Sequence, residues 1–215
     1  MLKADLHTHT LYSPDSVMSL EDIISRCLEV GINCLAITDH NTIEGALRME
    51  KASPFHIIIG EEIQTRSGEV IGLFLEEEIP RGLSAEEAVS GIKAQGGLVM
   101  IPHPFDRTRP SAIRRQTLEE LLPQIDIIET FNSRTIFLRD SERARLFAKN
   151  HGLPSGAGSD AHTIGEIGNA YVEMAEFNGK EEFLNALSKG DVIGRRSNPL
   201  VHIASSWTRL RKRLL

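Results

Sequence analysis

Histidines and carboxylates recur in this chain directly after short apolar runs, and several of them are two residues apart. The first run leads into Asp5-Leu6-His7-Thr8-His9, and a late run leads into Ser159-Asp160-Ala161-His162. Residues i and i+2 of a strand face the same side of a sheet, so each pair can offer two side chains to one ion. Imidazole and carboxylate groups are ligands of zinc, manganese and iron. The spacing therefore indicates a metal site.

Residues of the same types follow three further strand-like runs. They occur in Thr38-Asp39-His40, in Gly60-Glu61-Glu62 and in Pro102-His103-Pro104, and Asp15 lies in the loop that follows the first run. In parallel α/β folds, binding sites form at the carboxyl ends of the strands, where these residues are expected to meet. We therefore predict one metal centre, which contains five of the eight histidines: His7, His9, His40, His103 and His162.

Seven strand-like runs alternate with amphipathic helical stretches along the chain. The strands are predicted at Leu2–Leu6, Cys34–Thr38, His56–Ile59, Glu69–Leu75, Leu98–Ile101, Ile125–Thr130 and Pro154–Gly158. Helices are predicted at Ser19–Val30, Ser84–Gln95, Thr135–Asn150 and Lys180–Lys189, with Ser19 and Ser84 as N-terminal caps. This alternation predicts a mostly parallel α/β sheet, either an open doubly wound sheet or a closed barrel. The run Glu69–Leu75 follows its predecessor too closely for a helical crossover, so a barrel would be irregular.

The length and composition are those of one globular domain, which we place at residues 1–215. The chain has a formal net charge of -6, so it has no general attraction for nucleic acid or anionic membranes. No apolar run approaches the ~20 residues that span a bilayer. The two cysteines, Cys27 and Cys34, lack the spacing of a disulfide framework and are interpreted as reduced core thiols. We expect a cytoplasmic protein with no membrane partner.

Four motifs, taken in order, resemble those of the PHP family, the polymerase and histidinol phosphatase domain. They are Asp5-Leu6-His7-Thr8-His9, Thr38-Asp39-His40, Pro102-His103-Pro104 and Ser159-Asp160-Ala161-His162. The resemblance implies an α/β fold, a distorted seven-stranded (β/α) barrel, with two or three divalent metal ions (Zn, Mn or Fe) at one end. It also implies that the chain is a free-standing, metal-dependent phosphoesterase.

The resemblance further implies which residues hold each ion. The first ion is assigned to His7, His9, Glu62 and Asp160. The second ion is assigned to His103 and to Glu62 as a bridge, and the third to Asp15, His40 and His162. One position departs from the family pattern, because Glu69 stands where many members have a histidine. Either the Glu69 carboxylate binds the second ion, or it points away and leaves that site weak.

The reaction expected of such a centre is hydrolysis of a phosphate ester by a metal-activated hydroxide, with the third ion holding the phosphate. Asp39 is predicted to orient a ligand histidine, and Arg134 and Arg195 are predicted to hold the phosphate of the substrate. Arg107 and Arg109 form a weaker candidate pair for an outer phosphate. The predicted substrate is a small phosphorylated molecule: a nucleotide or nucleoside bisphosphate first, and a sugar or amino-alcohol monophosphate second.

Three other functions are compatible with these residues. A 5'-3' exonuclease acting on short single-stranded oligonucleotides would use the same ions, although aromatic residues for base stacking make up only 5% of the chain. Amidohydrolase-type C–N hydrolysis usually depends on a bridging lysine, and no lysine follows a strand-like run here. A catalytically weak metal-binding module would keep the ligands without efficient turnover.

The C-terminal segment Trp207–Leu215 is basic and amphipathic. This pattern is compatible with contact to nucleic acid or to a membrane surface. We favour a packed final helix, in which Trp207 and the leucines cover the bottom of the barrel and the basic face lies in solvent.

Overall fold

One sheet of nine strands forms most of the computed structural model, which describes residues 1–214. The strands are β1 (Leu2–Thr8), β2 (Cys34–Ile37), β3 (His56–Thr65), β4 (Gly68–Leu73), β5 (Leu98–Ile101), β6 (Ile127–Asn132), β7 (Ser155–Gly158), β8 (Ala170–Met174) and β9 (Asp191–Gly194). Their order in the sheet is β7-β6-β5-β4-β3-β2-β1-β8-β9. All seven predicted runs are strands, but the predicted total of seven is wrong because β8 and β9 extend the sheet beyond β1.

Seven α-helices connect the strands. They are α1 (Leu20–Val30), α2 (Glu44–Ala52), α3 (Ala85–Ala94), α4 (Arg115–Leu121), α5 (Leu138–His151), α6 (Lys180–Ser188) and α7 (Val201–Leu214). The predicted caps are confirmed: the Ser19 hydroxyl accepts a hydrogen bond from the amide of Asp22, and Ser84 and Glu87 form a capping box. Helices α2 and α4, of nine and seven residues, were not predicted.

The strand directions show the expected irregularity. Strands β1, β2 and β3 are parallel, as are β5, β6 and β7, whereas β4 runs antiparallel to both β3 and β5. Only residues 66 and 67 separate β3 from β4, and so short a connection allows only an antiparallel hairpin. Strands β8 and β9 are also antiparallel to their neighbours.

The barrel closes where the end of β7 meets the end of β1. The amide of Asp160 donates to the carbonyl of His7 at 2.7 Å, and the amide of His9 donates to the carbonyl of Ala161 at 3.1 Å. Asp5 also accepts a hydrogen bond from the amide of Ser159 at 2.9 Å, and burial raises the pKa of Asp5 to about 7. Closure therefore places the first and last sequence motifs side by side.

Apolar side chains fill the barrel interior and the layer between the sheet and its helices. One buried cluster includes Leu6, Ile58 and Met100 from the strands together with Phe183 from α6. The same cluster contains Leu2, at the beginning of β1, so α6 covers the end of the barrel opposite the motifs. Burial of this apolar area is the main term that favours folding.

The final helix does not lie where its amphipathic pattern predicted. Trp207 and Leu210 of α7 are 66% and 50% exposed, so they do not cover the bottom of the barrel. Arg209 and Lys212 instead turn toward Asp15 and the loop after β1. The prediction of an inward apolar face is wrong for the described part of this segment; Leu215 lies outside the described residues.

Both cysteines are free and buried, as predicted. Burial raises the pKa of Cys27 and the pKa of Cys34 to about 12, which keeps both thiols protonated and unreactive. Within residues 1–214, none of the helices combines the length and the apolar character that crossing a membrane requires.

Gly158 tests the closure of the barrel, because a Cβ atom at this position would lie 2.3 Å from Cβ of His7. Gly158→Ala should lower the free energy of unfolding by about 1–3 kcal/mol, the usual cost of overpacking. Gly165→Ala is the matched control, since its Cβ would meet no heavy atom within 4 Å. Urea denaturation of the two variants measures the difference. Equal midpoints would contradict the close packing of β7 against β1.

Candidate metal centre

The predicted ligands converge at the carboxyl ends of the strands, around the carboxylate of Glu62. Three groups have their ligand atoms within 4.8 Å of one another: His7, His9 and Glu62; His9, His40 and His162; and His40, Glu62 and Glu69. Glu62 belongs to two of the three groups and is only 1% exposed. The groups therefore overlap, which is the arrangement that a cluster of ions would need.

The first predicted ligand set comes from the end of β1, from within β3 and from the residues that follow β7. The Nε2 atoms of His7 and His9 are 3.1 Å apart, and each lies 3.4 Å from Oε2 of Glu62. Oδ1 of Asp160 lies 3.4 Å from Nε2 of His9 and 3.7 Å from Nε2 of His7. All four side chains are buried.

The second predicted set shares Glu62 with the first. Nε2 of His103 lies 3.1 Å from Oε1 of Glu62 and 3.7 Å from Oε2 of Glu69. Oε1 of Glu69 is 3.9 Å from Nδ1 of His40. The Glu69 carboxylate therefore points toward the cluster, and the alternative orientation, in which it points away, does not occur. Burial, together with the nearby charge of Glu62, raises the pKa of the Glu69 carboxyl.

The third predicted set lies beside the loop after β1. Nε2 of His40 is 3.4 Å from Oδ2 of Asp15, and Nε2 of His162 is 3.2 Å from Oδ1 of Asp15. Nδ1 of His40 faces the other way and lies 3.2 Å from Oε2 of Glu62. His40 therefore joins the third set to the carboxylate that the other two share.

The electrostatics of the cluster favour a positive charge at its centre. Burial alone would raise the pKa of Glu62, but the surrounding histidines, His7 and His40 foremost, hold it well below its ordinary value. Burial would likewise lower the pKa of His7, but Glu62, Asp160 and Glu129 raise it well above its ordinary value. Close carboxylates thus stabilise either a proton or a metal ion at the ring nitrogens that face them.

The donor atoms fit divalent ions. Burial lowers the pKa of His9 to about 3, so its ring is the neutral form that coordinates metals. Oδ1 of Asp15 and Oδ1 of Asp160 are buried without a hydrogen-bond partner among residues 1–214, and both lie beside histidine Nε2 atoms. Buried carboxylate oxygens need such a partner, and a cation would supply it.

Contacts of the Nδ1 atoms fix the orientation of the rings of His7 and His9. Nδ1 of His7 donates to Oε1 of Glu129 at 3.0 Å. Nδ1 of His9 lies 3.0 Å from the hydroxyl of Ser13, which in turn donates to Oδ1 of Asp39 at 2.9 Å. A ring that donates from Nδ1 leaves Nε2 free to bind metal. Asp39 thus acts on His9 through Ser13, and it does not face the cluster itself.

Glu129 is the site residue that sequence reasoning missed. Besides His7, its carboxylate accepts the amide of His103 at 2.7 Å and the side-chain amide of Asn132 at 3.0 Å. The available signal was a charged residue in a predicted strand, since strand residues are often buried and buried charges are rare unless they are paired.

The backbone is strained at two of the predicted ligands. His103 has φ 31° and Asp160 has φ 51°, values in the left-handed region that residues other than glycine rarely adopt. Each such residue costs of order 1–3 kcal/mol and persists only where the surrounding structure imposes it. Strain of this kind is concentrated at functional sites.

Arg134 and Arg195 do not occupy the positions expected of phosphate ligands. Arg134 is buried, and its Nη1 atom lies 2.8 Å from Nδ1 of His162, while Nη2 donates to the carbonyl of Val201 and the hydroxyl of Ser205. Its Nε atom is 3.2 Å from Glu166. This guanidinium is therefore occupied by Glu166 and α7 and packs beside the ring of His162. Nδ1 of His162 also lies 2.8 Å from the carbonyl of Asp160, and donation to that carbonyl leaves Nε2 free to bind metal.

Arg195 is exposed and uses Nε to bond the side chain of Asn169 at 2.8 Å. Within residues 1–214, no hydrogen bond or ion pair joins Arg195 to a predicted metal ligand. Of the weaker pair, Arg107 is bound to Asp140, away from the cluster. Arg109 instead pairs with Asp160 through Nη2, and its buried Nε atom lies 3.6 Å from Oδ2 of Asp106.

Two family models and a long relative match this chain. The family model described as PHP domain matches residues 5–150, and the model described as PHP-associated matches residues 139–192. An uncharacterised protein of Methanocaldococcus jannaschii is 38% identical over 211 residues, which cover 93% of this chain and 85% of that protein.

Two further similarities are more limited. A 5'-3' exoribonuclease of Haemophilus influenzae is 35% identical over 86 residues, which cover 37% of this chain and 31% of that protein. A two-domain protein of Bacteroides vulgatus that contains a predicted PHP-like metal-dependent phosphoesterase has a TM-score of 0.71 at 18% identity. The superposition covers 90% of this chain and 65% of that chain, and at this identity it concerns the fold alone.

Glu129→Gln tests whether the missed carboxylate supports metal binding. The Glu129 carboxylate accepts hydrogen bonds from His7, His103 and Asn132. A glutamine would place its NH2 group against one of these donors. We expect the affinity for Mn²⁺ to fall about 10–100-fold, the usual effect of losing such a supporting contact. Competition with a chelator measures it. The control is Glu119→Gln, which alters only an exposed ion pair with Arg115, and equal affinities in both variants would refute the role of Glu129.

Proposed function

Because this chain belongs to the PHP domain family, we propose that it is a metal-dependent phosphoesterase that hydrolyses a small phosphorylated substrate. The observation that carries the proposal is the overlap of three ligand groups around one buried carboxylate, Glu62. Divalent ions bound in such a cluster lower the pKa of a coordinated water and neutralise charge on phosphoryl oxygens.

We propose that three sets of side chains hold the ions. The first set is His7, His9, Glu62 and Asp160; the second is Glu62, Glu69 and His103; and the third is Asp15, His40 and His162. The donors are imidazole and carboxylate groups, which suits Zn, Mn or Fe, and both buried thiols lie elsewhere. The inward orientation of Glu69 supports a complete second set, in which a carboxylate replaces the histidine of many family members.

Residues that surround the three ligand sets orient the ligand side chains and do not contact the substrate. Glu129 orients His7, Asp39 orients His9 through Ser13, and Arg134 supports His162. Asp39 and Arg134 are thus positioning residues in this proposal. We assign the first phosphate contact to Arg109 because the ion pair with Asp160 places its guanidinium at the cluster.

A small substrate is favoured over long nucleic acid. The net charge of -6 gives the protein no general attraction for a polyanion. A nucleotide or nucleoside bisphosphate remains the first candidate, and a sugar or amino-alcohol monophosphate the second. A substrate of this size needs only the ion cluster and a few arginine contacts for binding.

A 5'-3' exonuclease acting on short single-stranded oligonucleotides is the second candidate function. The observation in its favour is the partial similarity to the exoribonuclease of Haemophilus influenzae. That similarity covers 37% of this chain and 31% of the exoribonuclease. The two functions would share the ions and differ in the length of the bound substrate.

The proposed activity can be tested on purified protein reconstituted separately with Mn²⁺, Zn²⁺ and Fe²⁺. We expect phosphate release from a panel of mononucleotides, nucleoside bisphosphates and sugar phosphates. Chelation should abolish that activity, because the ions would supply the activated water. Elemental analysis of the same sample measures bound metal. A protein that neither binds a transition metal nor hydrolyses any ester in the panel would refute the proposal.

Labelled RNA and DNA oligonucleotides, assayed in parallel, separate the two candidate functions. Stepwise release of mononucleotides from the 5' end would favour the exonuclease. Inert oligonucleotides beside rapid hydrolysis of a mononucleotide or bisphosphate would eliminate it.

Variants of Glu69 test the second set. Glu69→Gln removes a charge that faces His103 and His40, so both the metal content and kcat should fall. Glu69→His restores a metal-binding donor and should retain more metal than Glu69→Gln. Elemental analysis and steady-state kinetics distinguish the variants. Full metal content and full activity in Glu69→Gln would show that this carboxylate is not a ligand.

A further inference from the structure

Helix α7 lies along the rim of the barrel beside the third ligand set. At its beginning, Nη2 of Arg134 donates to the carbonyl of Val201 and the hydroxyl of Ser205, both at 2.9 Å. Near its end, Nζ of Lys212 donates to the carbonyls of Leu11 and Ser13, both at 2.7 Å. The helix therefore reaches from the end of β6 to the loop after β1.

Charge, more than burial of apolar area, accounts for the way this helix is oriented. Its large apolar side chains Ile203, Trp207 and Leu210 face solvent. The side chain that turns toward the cluster is Arg209, whose Nη2 atom donates to Oδ2 of Asp15. An amphipathic helix that exposes its apolar face needs another reason for this orientation, and the ion pair with a buried carboxylate supplies one.

The two carboxylate oxygens of Asp15 face three neighbours: His162, His40 and Arg209. Its Oδ1 atom is buried, has no hydrogen-bond donor among residues 1–214 and lies 3.2 Å from Nε2 of His162. Its Oδ2 atom accepts the hydrogen bond from Arg209 and also lies 3.4 Å from Nε2 of His40. The contact with Arg209 therefore leaves Oδ1 available to the third set, so the guanidinium and the ligand role of Asp15 are compatible.

The guanidinium of Arg209 keeps most of its donors free. It carries five N–H groups, and its side chain is 46% exposed. Asp15 is its only hydrogen-bond or ion-pair partner among the described residues. The remaining donors form a planar fork of the kind that binds two phosphate oxygens at once.

We propose that Arg209 is a substrate-binding residue, which contacts the phosphoryl group of the substrate beside the third ligand set. The inference rests on the proposed phosphoesterase function. The ion pair with Asp15 holds the guanidinium at the edge of the cluster before the substrate binds, which lowers the entropy lost on binding. Arg109, paired with Asp160, and Arg209, paired with Asp15, then supply two separate arginine contacts at the cluster.

The test measures binding of inorganic phosphate, so that it does not depend on turnover. Wild type, Arg209→Gln and Arg209→Lys are loaded with Mn²⁺, their metal content is determined, and phosphate is titrated by calorimetry. Arg209→Gln should raise the Kd for phosphate about tenfold or more, the ratio expected when a charge-assisted hydrogen bond is lost. Arg209→Lys should recover part of the affinity, because it restores the charge without the fork.

Arg211→Gln is the matched control, because Arg211 is an exposed residue of the same helix and makes no hydrogen bond or ion pair among residues 1–214. Its Kd for phosphate should match that of wild type. Steady-state kinetics on any ester that wild type hydrolyses should show a higher KM in Arg209→Gln, with a smaller change in kcat.

Three outcomes would overturn the inference. The first is an unchanged Kd in Arg209→Gln, and the second is the absence of phosphate binding by wild type that carries metal. The third is a loss of phosphate affinity that merely follows a loss of bound metal, which would make Arg209 a support for Asp15 alone. Failure of the phosphoesterase proposal is distinct, because it would appear as wild type that binds phosphate but hydrolyses no ester.

Discussion

The buried carboxylate of Glu62 is the group on which the rest of this structure depends. A carboxylate removed from water must be offset by nearby positive or hydrogen-bonding groups, and here the rings of His7, His9, His40 and His103 all lie within 3.4 Å of it. These rings come from β1, from the end of β2 and from the end of β5. The four rings therefore reach Glu62 only because the sheet closes around it, and the proposed metal binding depends on that closure.

A second layer of buried polar groups fixes the positions of the predicted metal ligands. Glu129 accepts hydrogen bonds that originate from β1, β5 and β6, and Asp39 fixes the loop after β1 through Thr10 and Ser13. In a low-dielectric interior such a network is strong when it is fully paired and costly when it is not. This explains how the positive φ values at His103 and Asp160 are sustained: each strained residue is tied to the network by its backbone amide or its carboxylate.

Helix α7 shows how charge can override an amphipathic pattern. Its sequence predicted an apolar face turned toward the barrel, but Phe183 of α6 already lies in the cluster at the far end of the barrel. The partner that α7 meets is the carboxylate of Asp15, and Arg209 turns toward it. An apolar stripe reports which residues share a face, but it does not identify the surface that the face will meet.

The sequence by itself determined the seven predicted strands, the caps of α1 and α3, and the histidines and carboxylates that gather at one end. Hydrophobic periodicity and helix capping predict these features, because both depend on residues that are close together in the sequence. Only the tertiary structure decided that β8 and β9 extend the sheet, that Glu69 points inward, that Arg134 supports His162 and that Glu129 orients His7. His7 and Glu129 are 122 residues apart, so their contact depends on barrel closure and strand register, which local pattern does not encode.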